Sequence, residues 1–193
     1  YSGSDSFEYT ATNGSGTSSA ATVSITVSAP SFSFSPPAGT LSGGTVGIFA
    51  RGLGTGALLV TSIGAVSGTN GNGIYARSNS LGTSLTIAAA AVSGGTAGIY
   101  ARNYGTGALS VTATGDVTGT SGNGILARNS SNGTSLTVSA DAAVTGGAFG
   151  IYARNQGTGA LSVTTIGDVT GTSGSGIYAA NSNNGTSLTV SAT

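Results

Sequence analysis

The sequence predicts an all-β chain whose main body is a right-handed parallel β-helix, a solenoid of six coils of about 26 residues each. Three observations predict it. A Gly-Ile-aromatic-Ala-Arg motif recurs at Gly47, Gly73, Gly98, Gly124, Gly150 and Gly176, always 25 or 26 residues apart, with Leu126 replacing the aromatic residue and Ala180 replacing the last Arg. Inside each copy the apolar residues alternate with polar or aromatic ones, which is the period of a strand and not of a helix. Glycine, serine and threonine cluster between the strand-like runs, where the chain must turn a corner.

The order of elements follows from the same reading. Residues 1–29 hold two alternating runs, Ser6 to Thr12 and Ala20 to Val27, joined by Asn13-Gly14-Ser15-Gly16, and read as a hairpin. An isolated hairpin is marginal in water, so it calls for partner strands. Residues 30–37 carry the only prolines and read as a linker; in it Phe32 and Phe34 alternate with serines and either cover the open end of the solenoid or form a plain linker strand. Residues 38–193 hold the six coils, beginning near Leu41, Val66, Val92, Val117, Val144 and Val169. Odd and even coils differ at their corners (Gly105-Thr106-Gly107-Ala108-Leu109 against Gly133-Thr134-Ser135-Leu136-Thr137), so the full unit is a pair of coils.

Within a coil, either Ile and Ala of Ile99-Tyr100-Ala101-Arg102 face inward, or Tyr and Arg do. An unpaired buried guanidinium is costly, so Ile and Ala are expected inside. A second strand supplies the inward pairs Leu58/Val60, Leu85/Ile87, Leu109/Val111, Leu136/Val138, Leu161/Val163 and Leu188/Val190, and the leading Leu or Val of each coil starts a short third strand. Right-handedness is expected from the general preference of parallel crossovers. Glycine at the corners is expected to supply positive φ. A single coil buries too little to offset the ordering of its backbone, so stacking is obligatory.

Composition narrows the function. The chain has 193 residues, five Arg, no Lys, no His, no Cys and a formal net charge of zero. A basic surface dense enough for nucleic acid is not expected, nor is membrane insertion by this segment. Nothing suggests a cofactor or a metal cluster.

Two resemblances add to this. Tyr1 to Asn13 followed by Thr17 to Val27 looks like the last two strands of bacterial immunoglobulin-like or cadherin-like modules. The Gly-Ile-Tyr-Ala-Arg-Asn copies, the Gly-Asp-Val-Thr-Gly-Thr joins (115–120 and 167–172) and Thr-Ser-Leu-Thr-Val (134–138 and 186–190) resemble the passenger repeats of large bacterial autotransporters, the type V secreted proteins. That resemblance implies a secreted or cell-surface adhesin, a rod anchored in the outer membrane through a C-terminal region outside this sequence, suited to cell–surface, cell–cell or biofilm contact.

The outward columns are the candidate site: Phe49, Tyr75, Tyr100, Leu126, Tyr152 and Tyr178 in one, and Arg51, Arg77, Arg102, Arg128 and Arg154 in the other. They can bind glycans or surface proteins, or support self-association, by stacking and cation–π contact. The alternative is that aromatics shield the sheet and arginines solubilise it. Like charges at the ~4.8 Å strand spacing repel by about 0.9 kcal/mol per neighbour even in water, a cost that Ser or Thr would avoid. An enzyme reading rests on Asp116 and Asp168, two coils or ~9.6 Å apart, just beyond the window for an inverting carboxylate pair. Their place before a Val-Thr-Gly corner favours turn chemistry instead. An ice-binding reading needs a uniform Thr face, whereas Thr86, Ser110, Thr137, Ser162 and Thr189 alternate Thr with Ser. The expectation is therefore a non-enzymatic rod acting in adhesion or extracellular assembly, or else a structural stalk or filament subunit.

Overall fold

A computed structural model describes the backbone of residues 3–9, 12–13, 16–17, 21–27 and 32–34, and residues 39–193 with their side chains. The chain divides into two compact units, Tyr1–Pro30 and Ser31–Thr193. In the first, strand Gly3–Tyr9 pairs antiparallel with Ala21–Val27, Phe7 opposite Val23, and Thr12–Asn13 pairs with Gly16–Thr17. The expected hairpin pairing thus starts three residues earlier than the alternation in Ser6 to Thr12 indicates. The turn residues 14–15, the side chains of the two runs and linker positions 35–38 lie outside the described residues.

The second unit is a parallel β-helix of six coils. Each coil contributes three strands, and like strands of successive coils hydrogen-bond into three parallel sheets. The short sheet holds Leu41–Gly43, Val66–Gly68, Val92–Gly94, Val117–Gly119, Val144–Gly146 and Val169–Gly171. The arginine sheet holds Ile48–Gly52, Ile74–Ser78, Ile99–Asn103, Ile125–Asn129, Ile151–Asn155 and Ile177–Asn181. The third, the Leu-x-Val sheet, holds Leu58–Ser62, Leu85–Ala89, Leu109–Ala113, Leu136–Ala140, Leu161–Thr165 and Leu188–Ala192. Strand Phe32–Phe34 adds a seventh member to this last sheet. It pairs parallel with Leu58–Ser62, and Phe32 and Phe34 take the register positions of Leu58 and Val60.

The register is one-to-one at every step: Ile99 sits beside Ile74 and Ile125, Leu109 beside Leu85 and Leu136, Val117 beside Val92 and Val144. Shifting one strand by a residue would turn its aliphatic set outward, so the narrow core fixes the stacking. Ile and Ala of the repeated motif, the Leu and Val of the second strand and the leading Val are buried in the interior coils, as the alternation requires.

The glycines work differently from expectation. Among the described residues only Gly39 has positive φ, at 142°. Many corner glycines are instead required by space, although a Cβ at Gly44 or Gly54 would meet nothing. A Cβ at Gly98 would lie 2.5 Å from Val117 Cγ1 and 2.7 Å from the Gly124 carbonyl oxygen, both one coil further on. The motif begins with Gly because the next coil's Val and backbone press directly onto that position.

Candidate functional site

Both outward columns form on the arginine sheet, and their geometry differs. Phe49, Tyr75 and Tyr100 stack face to face, with ring centroids 5.0 and 4.9 Å apart and planes within 7° of parallel. Leu126 interrupts the column, and Tyr152 and Tyr178 resume it at 4.8 Å. Phe149, from the corner before that strand, packs edge-on against Tyr152 at 5.5 Å and tilted against Tyr178 at 5.8 Å. The coil spacing set by the backbone is the distance at which parallel rings make contact, so a repeated Tyr stacks on its copy without further design. Inside the column the ring faces are covered by each other, and edges and hydroxyls are what the solvent meets. Phe49, at the start of the column, is 64% exposed.

Arg51, Arg77, Arg102, Arg128 and Arg154 occupy one register row, with Ala180 in the sixth place. No Arg–Asp ion pair forms among the described residues. Asp116, Asp141 and Asp168 lie in the corners between the Leu-x-Val and short sheets, away from the arginine sheet. Arg102 donates from Nη1 to the Tyr100 hydroxyl at 3.2 Å. Tyr104, in the corner after the strand, gives its ring to two guanidiniums, that of Arg77 at 4.5 Å and that of Arg102 at 4.9 Å from the centroid. In the other coils this place holds Leu53, Asn79, Ser130, Gln156 or Ser182, so among the described residues the double cation–π contact is made once. A cavity of about 30 Å³ lies between Arg102, Tyr104, Arg128, Ser130 and Gln156. Arg128 Nε is buried with no hydrogen-bond partner. A space of about 10–15 Å³ suffices for one water, so the cavity has room for one, although Arg128 Nε itself is shut off from solvent.

Sequence reasoning missed the row just below. Alternation that puts Ile99 and Ala101 inside also puts Asn103 inside, and the chain uses it: Asn103, Asn129 and Asn155 are buried. Each donates its amide to the side-chain carbonyl of the next coil's Asn, at 3.0, 3.1 and 3.0 Å along Asn103, Asn129, Asn155 and Asn181. Ser78 begins the row by donating to Asn103 Oδ1. The amides also close the adjacent corners: Asn103 Nδ2 donates to the Gly107 carbonyl at 3.0 Å, and Asn129 Nδ2 to that of Ser135 at 3.1 Å. Buried polar groups are tolerated here because the ladder pairs them. Tyr104 was missed because a cation–π partner from a corner leaves no periodic signal.

Asp116, half of the carboxylate pair weighed for hydrolysis, accepts at Oδ1 from the Ala143 backbone N–H at 3.1 Å, one coil on. That is corner chemistry between coils. No family model matches the chain, and neither a curated protein nor a solved structure matches it significantly.

Proposed function

We propose that this chain is a non-enzymatic β-helical rod, secreted or displayed on a bacterial surface, that acts in adhesion or extracellular assembly through its arginine sheet. The observation that carries the reading is the guanidinium row along one face of the solenoid, which has no acidic partner among the described residues. Five like charges in a line weaken the isolated rod slightly and gain from any partner that matches them. The resemblance to autotransporter passenger repeats, and of residues 1–27 to the end of an immunoglobulin-like module, supports placement in a larger surface adhesin. The aromatic column supports the rod more than it supports binding, because its ring faces are occupied by its own neighbours. This assigns binding to the arginines and the tyrosine hydroxyls.

The test is retention of the chain on immobilised glycans and on cell surfaces. Binding that survives Asp116→Ala with Asp168→Ala, and is lost when the arginines are replaced by Gln, supports the reading. Binding indifferent to the arginines overturns it, and so does release of oligosaccharides from any polysaccharide. A second reading, a filament subunit, is favoured by the same row if charge reversal there abolishes concentration-dependent assembly.

A further inference from the structure

We infer that the arginine row is a binding track for a linear acidic polysaccharide, one that carries a carboxylate or sulfate on each successive sugar. The inference rests on the reading of the arginine sheet as the binding face and names its ligand class. Spacing is the first argument. The ring-to-ring distances of 4.8–5.0 Å match the spacing of parallel strands, and the arginine backbones hold one register row at that step. Four steps from Arg51 to Arg154 span about 19 Å. A sugar in an extended chain has a length of the same order, so a polymer with one acid group per sugar brings its acid groups past the arginine row at a comparable interval.

Charge is the second argument. The row has no carboxylate partners among the described residues, and the Asp corners face elsewhere on the solenoid. Guanidinium is the cation suited to carboxylate and sulfate, because its planar fork donates two parallel hydrogen bonds. Preorganisation is the third. Tyr104 holds Arg77 and Arg102 against its ring, and the Tyr100 hydroxyl holds Arg102 again, so part of the side-chain ordering cost of binding is met before the ligand arrives. Arg128 lines a cavity of about 30 Å³ beside Arg102 and Tyr104. Neutral sugars, in contrast, bind protein surfaces largely by lying on aromatic faces, and between Phe49 and Tyr100 those faces are taken.

The test uses the full 193-residue chain and four labelled probes measured by fluorescence anisotropy. They are a galacturonate hexamer, a heparin hexasaccharide, a neutral cellulose hexamer and a short DNA duplex. The expected result is binding of one or both acidic glycans, weakening steeply as ionic strength rises from about 0.05 to 0.3 M. The two acidic probes separate carboxylate from sulfate as the preferred group. The combined variant Arg77→Gln, Arg102→Gln and Arg128→Gln should weaken binding roughly tenfold to a hundredfold, at a few-fold per exposed charge pair. If that variant does not fold, the pair Arg51→Gln and Arg154→Gln, at the two ends of the row, should still lower affinity several-fold.

Equal binding of the neutral hexamer, or binding that ignores salt, would overturn the inference while leaving an adhesive arginine sheet intact. DNA binding as tight as that of the acidic glycans would overturn it too. Failure of every probe, together with low-salt self-association that Asp116→Asn and Asp168→Asn abolish, would give the row to a second copy of this chain. Binding unaffected by any of the arginine variants would remove the adhesive reading along with this one.

Discussion

Asn103 donates its side-chain amide to Oδ1 of Asn129 at 3.0 Å, one coil further along the helix. Asn129 passes the pattern on to Asn155 at 3.1 Å and also donates to the Ser135 carbonyl, also at 3.1 Å. A side-chain amide has a carbonyl oxygen that can accept twice and an NH2 that can donate twice, so each Asn bonds both its neighbours on the axis and its own corner. The ladder therefore couples coil to coil and strand to corner at the same atom.

Replacing Asn129 with Ala should break that coupling in both directions. Asn103 loses an acceptor and Asn155 Oδ1 loses a donor, and both remain buried. Asn103 Nδ2 keeps the Gly107 carbonyl and Asn155 Oδ1 keeps the Gly157 N–H, so the expected cost is about 1–3 kcal/mol, that of a partly unsatisfied buried amide. Urea unfolding of the variant checks it. A loss below about 0.5 kcal/mol would mean that water or a shifted corner replaces the amide.

The opening glycine of each motif gives a second prediction. Gly98→Ala places a Cβ 2.5 Å from Val117 Cγ1 and 2.7 Å from a backbone oxygen that cannot move without disturbing the next coil. Overpacking of this kind costs about 1–3 kcal/mol or more. Adding Val117→Ala should relieve the side-chain clash but not the carbonyl contact, so the double variant should lose less than the sum of the singles. Full additivity in thermal or urea unfolding would contradict the contact.

The fold was legible in this sequence because its information is periodic at two levels. The 25- or 26-residue interval fixes which residues become neighbours, and the two-residue alternation fixes which way they point. Ile99, Ala101, Leu109 and Val111 needed nothing more. The corners were less legible. Asn103 reads as one more polar residue after Arg102 unless the inward alternation is carried two positions further. Gly98 reads as a turn former, whereas its role depends on Val117, which only stacking brings near. At the candidate site, the two columns follow from register alone. The stacked rings, the break at Leu126 and the Tyr104 contact with Arg77 and Arg102 depend on rotamers and corner paths that no repeat encodes.

That break at Leu126 can be repaired. Leu126 lies between Tyr100 and Tyr152 in exact register on the same sheet. Leu126→Tyr should join the two stacks into one six-ring column. Each new parallel contact is worth about 0.5–1.5 kcal/mol beyond area burial. The variant should melt higher than the parent and show a stronger coupled signal from its tyrosines in near-ultraviolet circular dichroism. A lower melting temperature would mean that Leu126 fills a space between Tyr100 and Arg128 that a ring cannot share.

Leu109 and Leu188 hold the same place in the repeat, but Leu109 is fully buried in the third coil and Leu188 is 49% exposed in the sixth. In a stacked solenoid each coil is stabilised by its two neighbours, so an interior aliphatic is packed from both sides and an end one from a single side. Leu109→Ala should therefore cost about 2–5 kcal/mol, the range for a large buried aliphatic. Leu188→Ala should cost distinctly less, and amide hydrogens of the sixth coil should exchange faster than those of the third, because opening an end coil breaks one interface and not two. The comparison can be sharpened by extending the chain with one further odd-type coil. Leu188 would then gain a neighbour on its open side, and the cost of its truncation should rise toward that of Leu109. Unchanged cost in the extended chain would show that burial by the next coil is not what stabilises this position, and the stacking account of the rod would fail with it.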